Sequence, residues 1–386
     1  MVGPTCGVHL ARWACFWGLV GIVLLAGCGS VATRKGFYEP ITSDLRAARY
    51  DSAAVKIEIA KEENKYAKKD RFLYYLDAGL AYHYAWQYDL SNERLTAAEQ
   101  AAEELFTRSI SRAATSILLN DNALEYAGED YEILYTNLVM ALNYLSLNDF
   151  EDAFVETRRA NLRLDLLEQK YADAAQTFQR EAHQDSNAVV IPYEVKKVRF
   201  NNCAFARYLS MHMYAAAGEF DDAEIDHRFL QEAYLTQPHV YPFDLPDVKY
   251  YADKNTILSV VALVGLSPVK EALNLRIRTD KQLNLVQVLY DGPDKGDAEY
   301  GHIFLPIKQD YYFKFAIPVI AARLSQVDRV QVRINGEVIG ELQLLEDVGL
   351  VAQQIFEAKK SLIYIRSVAR AVAKGLAAHQ LKKKIE

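Results

Sequence analysis

The sequence is poor in the residues that metal, redox and nucleotide chemistry most often needs. Its 386 residues include four cysteines, four methionines and three tryptophans. It contains no Cys-x-x-Cys pair, no His-Glu-x-x-His, and no Walker or dinucleotide-binding glycine loop. A clustered basic surface is missing too. With 44 basic against 51 acidic side chains the net charge is −7, which gives no electrostatic footprint for duplex nucleic acid. The apolar run Trp13–Leu24 is shorter than the roughly 20 residues that span a bilayer as a helix. What the chain does have is a 51% apolar composition, too high for a disordered protein, and 25 tyrosines. The length allows two or three domains.

The amino terminus has an order of its own. Arg12 is its one firm positive charge, and the apolar run follows, interrupted only by Gly18 and Gly21. The run ends in Leu25-Ala26-Gly27-Cys28. Charge, apolar length, small residues and cysteine in that order resemble the lipobox of bacterial lipoproteins. The resemblance implies a signal peptide over residues 1–27, lipidation of Cys28 and a lipidated tether over residues 28–36. Gly29 and Ser30 follow the cysteine, with no Asp at the second position. By resemblance to lipoprotein sorting this implies the outer membrane, facing the periplasm, with surface exposure left open. Two or three acyl chains make a stable anchor where one does not. Cleavage removes Arg12 and takes the net charge from −7 to −8. It also leaves Cys203 as the one free thiol, in an apolar helical setting that suits a buried, inert side chain.

From residue 37 to 236 the pattern is helical, with few prolines and alanines spaced for close helix contact. An aromatic, an acid, any residue and alanine recur as Tyr50-Asp51-Ser52-Ala53, Phe150-Glu151-Asp152-Ala153 and Phe220-Asp221-Asp222-Ala223. The alanines are about three and two periods of 34 residues apart, a spacing that resembles the tetratricopeptide repeat. Ala141, Tyr144, Phe150, Ala153 and Ala160 make the best copy. Gly218 stands in the turn before Phe220 and Ala223. A further copy shows as Tyr75, Gly79 and Tyr82, with a stretch from Trp86 to Leu95 that reads as longer than a normal turn. The sequence therefore predicts a mainly α chain, a tetratricopeptide-like superhelix whose concave face takes a peptide or a partner helix.

A long helix is predicted over Leu95–Leu119, followed by a stop, a loop and a restart at Asn120–Glu132. The runs Leu118-Leu119-Asn120-Asp121-Asn122 and Gly128-Glu129-Asp130-Tyr131-Glu132 are similar to those of an uncharacterised family of tetratricopeptide-type bacterial lipoproteins. The likeness continues at Ala141-Leu142-Asn143-Tyr144-Leu145, at Gly265 with Pro268 and Lys270, and at Val368-Ala369-Arg370. That family brings no assigned reaction. Its frequent association with lipoproteins that activate peptidoglycan synthases implies a cell-wall process. The carboxylates of Asn120–Glu132 lack the spacing of a calcium loop, and capping and turn roles suit them better than metal.

Prolines 238, 242 and 246 mark a Pro-rich linker over residues 237–254. Beyond it, residues 255–344 read as a small antiparallel β domain, sandwich-like. Ile257–Leu266 looks like a buried strand, Leu273, Leu275 and Ile277 alternate with polar residues, and Asn335-Gly336 suits a two-residue hairpin. C-terminal helices are predicted within residues 345–386, at about 346–358 and 361–381. Arg366, Arg370 and Lys374 would form a basic stripe on the last one, open to three readings: membrane surface, a salt-bridged dock, or a solvated face.

Candidate chemistry is sparse. Ser267-Pro268-Val269-Lys270 matches the Ser-x-x-Lys of penicillin-recognising enzymes, but it follows an apolar strand, and the chain has no Lys-Thr-Gly partner motif. Met211-His212-Met213 cannot converge on one ion from a helix. No cofactor, metal or catalytic residue is predicted. The leading reading is a non-enzymatic, membrane-anchored scaffold that binds another envelope protein, not nucleic acid. Glycan binding, or a hydrolase with an unrecognised acidic pair, is the alternative.

Overall fold

The structure is a computed structural model that describes residues 35–115, 125–182, 199–251, 256–292, 298–304, 310 and 312–385. Cys28, with the leader and most of the tether, lies outside the described residues, as does the Asn120–Asn122 stop. The described chain is mainly helical with a small antiparallel sheet.

Four helix pairs open the fold. They are α1 (Tyr38–Arg46) with α2 (Tyr50–Glu62), α3 (Arg71–Tyr84) with α4 (Tyr88–Thr115), α5 (Asp130–Ser146) with α6 (Phe150–Asp165), and α8 (Ala204–Ala217) with α9 (Phe220–Thr236). Helix α7 (Leu167–Ala182) continues from α6. The four pairs close in one way. Ala48, Trp86, Asn148 and Gly218 take a left-handed backbone conformation. One residue later the N–H of Arg49, Gln87, Asp149 or Glu219 donates to the carbonyl of Asp44, Tyr82, Tyr144 or Tyr214, at 2.8–2.9 Å. This is the longer bond of a Schellman motif, and the next residue in each case is the aromatic that begins the second helix. Gly218 has the conformation a glycine adopts without strain; the other three carry side chains there.

That geometry corrects the reading of residues 86–95. There is no long loop: Trp86 makes a tight turn and α4 begins at Tyr88. Tyr88-Asp89-Leu90-Ser91 is a further copy of the aromatic–acid–x–small pattern, with Ser91 where the other copies have alanine. Ser91, Ala53, Ala153 and Ala223 are all fully buried.

Residues 237–251 of the expected linker end the helical pattern, but they do not all stand free as a spacer. Val240 and Tyr241 are buried in the core formed by α5 to α9. Four strands then form a sheet in the order β3-β2-β1-β4: β1 (Val269–Asp280), β2 (Leu285–Tyr290), β3 (Glu299–Phe304) and β4 (Tyr312–Ala321). A separate hairpin joins β5 (Gln331–Ile334) to β6 (Glu337–Glu341), with positive φ at both Asn335 and Gly336 as a tight two-residue turn needs.

Three expectations fail in this half. The C-terminal helices are one continuous α10 (Val348–Ile385), since Lys359-Lys360-Ser361 contains no breaker. The sheet is not sandwiched on a second sheet. Val368 and Ala369 of α10 pack on Leu275, Ile277, Val286, Val288 and Ile317 instead. The first part of α10 buries Val351, Ala352, Ile355 and Leu362 in the helical core. One helix thus belongs to both cores. Finally, Ile257–Leu266 is not buried and pairs with no strand among the described residues; it is irregular chain with a bend at Gly265 and most of its side chains exposed.

Candidate functional site

The Gly128–Glu132 motif stands where the helices, the sheet and α10 meet. Gly128 has φ of +80°, and a Cβ there would lie 2.6 Å from the Phe72 ring, so both conformation and space call for glycine. Glu129 begins α5, and its N–H donates to Glu132 Oε2 at 2.7 Å, the backbone half of a capping box. The buried Glu129 carboxylate receives Lys270 Nζ of β1 at 2.8 Å and Lys359 Nζ of α10 at 2.9 Å. Asp130 accepts from Lys170 and from the Tyr171 hydroxyl. Glu132 accepts from Tyr126 Oη at 2.7 Å.

Burial would raise all three carboxyls. Lys270 and Lys359 outweigh it at Glu129, and Lys170 and Lys359 outweigh it at Asp130, so both fall below the ordinary range. At Glu132 burial, joined by the nearby Glu129 charge, wins over Lys270, and its pKa goes up. The cluster is therefore two ion-paired carboxylates with lowered pKa beside one whose pKa is raised. Glu129 and Asp130 each bond to side chains far away in the chain, which is the chemistry of a clip between elements, while Glu132 bonds within its own segment.

The same placement disposes of Ser267 and Lys270 as a catalytic pair. Lys270 lies on a strand and turns to Glu129, while Ser267 is exposed and offers its carbonyl to Arg323 Nε at 2.7 Å. Met211 and Met213 are core residues, and His212 stacks edge-on against Tyr208. No group of three ligating side chains that could hold a metal occurs among the described residues.

Tyrosine pairing with carboxyls recurs through the fold. Tyr66 donates to Asp77 at 2.9 Å, Tyr74 to Glu58 at 2.7 Å, and Tyr135 and Tyr241 to Glu346 at 2.6 and 2.7 Å. Burial raises the Asp77 carboxyl to about 7, against the lowering effect of the Tyr66 and Tyr38 hydroxyls. Cys203 is buried, and burial with the nearby Glu346 charge pushes its thiol well up; its Sγ lies 3.4 Å from Glu346 Oε2. An inert thiol is the result.

An open recess lies between α6, α8 and α9. It measures about 210 Å³ and is walled by Phe154, Arg158 and Asn161, by Arg207 and Tyr214, and by Asp222, Ile225 and Phe229. Arg207 is held by Asp226 at 2.9 Å and by Asn202 at 3.0 Å, with its guanidinium 4.5 Å above the Phe229 ring. Arg158 donates to Tyr214 Oη at 3.3 Å, not to a carboxylate, and stands 5.6 Å from the Phe154 ring centre. Small-molecule sites usually enclose roughly 300–1,000 Å³. This recess is smaller and more open. It has room for one or two side chains of a polymer, with apolar walls at Ile225 and Phe229 and a cation at Arg158.

The repeat residues frame this geometry. Ala153 and Ala223 are the contact points inside the two pairs that build the recess, and Phe150 and Phe220 begin their second helices half in water. Tyr144 is partly buried against the α3–α5 core, Tyr50 stacks on Tyr84, and a Cβ on Gly79 would meet Leu95 at 2.4 Å. The basic stripe is not a solvated row: Arg366 is buried and Arg370 half-buried, neither without a partner, while the Lys374 side chain lies outside the described set. The sequence reading missed Arg158, Arg207, Lys170 and Lys359, because single cations on amphipathic helices carry no motif.

No helix among the described residues is long and apolar enough to cross a membrane. Comparison with protein families, with curated proteins and with solved structures finds no match to this chain.

Proposed function

We propose that this chain is a non-enzymatic scaffold, anchored to the outer membrane through lipidated Cys28, whose tetratricopeptide-like superhelix holds a segment of another envelope protein. The recess between α6, α8 and α9 carries the reading. Its volume of about 210 Å³ suits side chains of a peptide, not an enclosed substrate. An apolar residue of the partner seats against Ile225 and Phe229, and an acidic residue pairs with Arg158. The Arg207–Asp226 pair, already satisfied within the fold, shapes the floor. The process served is cell-wall synthesis or its regulation, in line with the motif likeness at Gly128–Glu132.

Two measurements test this. Cys28→Ala is expected to leave an unlipidated precursor and to move the protein out of the outer-membrane fraction; normal acylation and fractionation of that variant defeat the anchor. For the groove, proteins captured by wild type and by Arg158→Glu are compared quantitatively by mass spectrometry. A partner species retained by wild type and depleted at least tenfold by the variant supports the reading. Identical captured sets from two equally stable proteins reject it.

A further inference from the structure

The stretch from Thr256 to Leu266 contains no charged side chain, is mostly apolar and is neither helix nor strand, with a bend at Gly265 and Ser259 Oγ 2.5 Å from Tyr208 Oη of α8. Among the described residues none of its backbone groups bonds to another backbone group. Leu258 is 74% exposed and Val264 51%. The β5–β6 hairpin is equally bare: every residue of β6 is exposed, and among the described residues its outer edge has no neighbouring strand. The two features are close together at one end. Arg323 Nε reaches the Ser267 carbonyl at 2.7 Å, and a Cβ on Gly265 would stand 3.3 Å from Ser325 Cβ. They nevertheless do not pair within the chain.

Leu258, Val260, Val261, Leu263, Val264, Leu266, Leu324, Val327, Ile334, Val338, Ile339 and Leu344 are all more than a third exposed. Summed over the run, the loop at 324–327 and both faces of the hairpin, they leave on the order of 1,000 Å² in water, against about 800 Å² that one partner contributes to a stable interface.

We propose that this surface joins copies of the chain head to tail, with Ile257–Leu266 of one copy adding as a strand to the β6 edge of the next. Three observations select a second copy as occupant. Each chain carries both halves, an unpaired apolar run and an unpaired edge, and so supplies what its neighbour lacks. The run is uncharged throughout, as a strand covered on both sides is. The apolar area is that of a full interface. Lipid does not substitute for a copy: in a bilayer the same backbone groups would still need a strand partner, and one strand with one hairpin cannot close a barrel. Because the two halves differ, the contact is heterologous, and repetition gives a ring or a filament.

The test is amine-reactive cross-linking of the full chain in intact cells, before any detergent, followed by mass measurement. Wild type is expected to give species of three or more copies. Leu263→Asp spoils the strand. Ile339→Pro spoils the edge, at a bulge position that has no registered β5 partner. Each variant alone is expected to give single copies. Co-expressed, they are expected to give a two-copy product and nothing larger, because one intact half remains on each. Far-UV circular dichroism of each purified variant checks the fold, and Leu258→Asp with Val338→Asp replaces any variant that fails it. Wild type as single copies at every concentration overturns the proposal. So does an unchanged ladder in the folded variants, or failure of the folded pair to form the two-copy product. Vesicle flotation that depends on Leu263 in a single-copy protein assigns the surface to lipid and overturns it too.

Discussion

Glu129 shows how one side chain can hold three parts of a fold. Its partners are 141 and 230 residues away in sequence, on β1 and α10. Glu129→Gln removes the carboxylate that bonds both Lys270 and Lys359 in a mostly buried position, leaving them only the more distant Asp130 and Glu132. The expected loss is about 3 kcal/mol, the low end for a broken buried pair, because both lysines keep some contact with water. Urea unfolding measures it, and Lys359→Met added to Glu129→Gln is expected to recover part of the loss. Asp77 behaves in the opposite sense. Its carboxyl rises from 3.8 to about 7 in the folded state, chiefly by burial. Between those values the folded chain binds more protons than the unfolded one, so this contribution is fully present below pH 3.8 and is lost as pH rises through 7. Asp77→Asn is expected to flatten that part of the stability–pH curve, as followed by thermal melting from pH 4 to 8. A curve identical to wild type would show that Asp77 titrates at its ordinary value.

At the scale of elements, the helix pairs rest on small residues at their closest approach. Ala153 of α6 is fully buried. Ala153→Leu adds three carbons where no space exists, and overpacking of this kind costs about 1–3 kcal/mol. A lower denaturant midpoint at unchanged slope is the expected result, and an unchanged midpoint would place Ala153 in open space. The turns explain why one copy was harder to read than the others. Tyr88-Asp89-Leu90-Ser91 keeps the pattern with serine in place of alanine, and Ser91 Oγ donates to the Gly79 carbonyl at 2.8 Å across the pair. Serine satisfies its hydroxyl there without extra volume. Nothing in Trp86 itself advertises a left-handed turn, which glycine or asparagine would have signalled.

For the whole molecule, α10 is the element that makes one body of two cores. Val351, Ile355 and Leu362 enter the helical core and Val368 enters the sheet core. Four such side chains, at about 1.5–3 kcal/mol each, match the net stability of an ordinary domain, about 5–15 kcal/mol. A chain ending at Asp347 is therefore expected to lose cooperative unfolding in both halves, seen as the disappearance of a single sharp melt. Two independent sharp transitions in the full chain would instead show that the halves fold separately.

Local chemistry alone was enough for the turn at Gly218, the Asn335-Gly336 hairpin and the alternation at Leu273, Leu275 and Ile277. Backbone conformation and burial period there depend on neighbours a few residues away. A resemblance to a lipoprotein family also singled out Gly128–Glu132. It could not say why, since the reason is two lysines that come near only after the sheet and α10 have docked. Ile257–Leu266 marks the limit most clearly. An uninterrupted apolar run reads as buried because water disfavours it, yet burial needs a partner surface, and whether the chain itself provides one is decided by tertiary structure. Here the chain folds without covering that run.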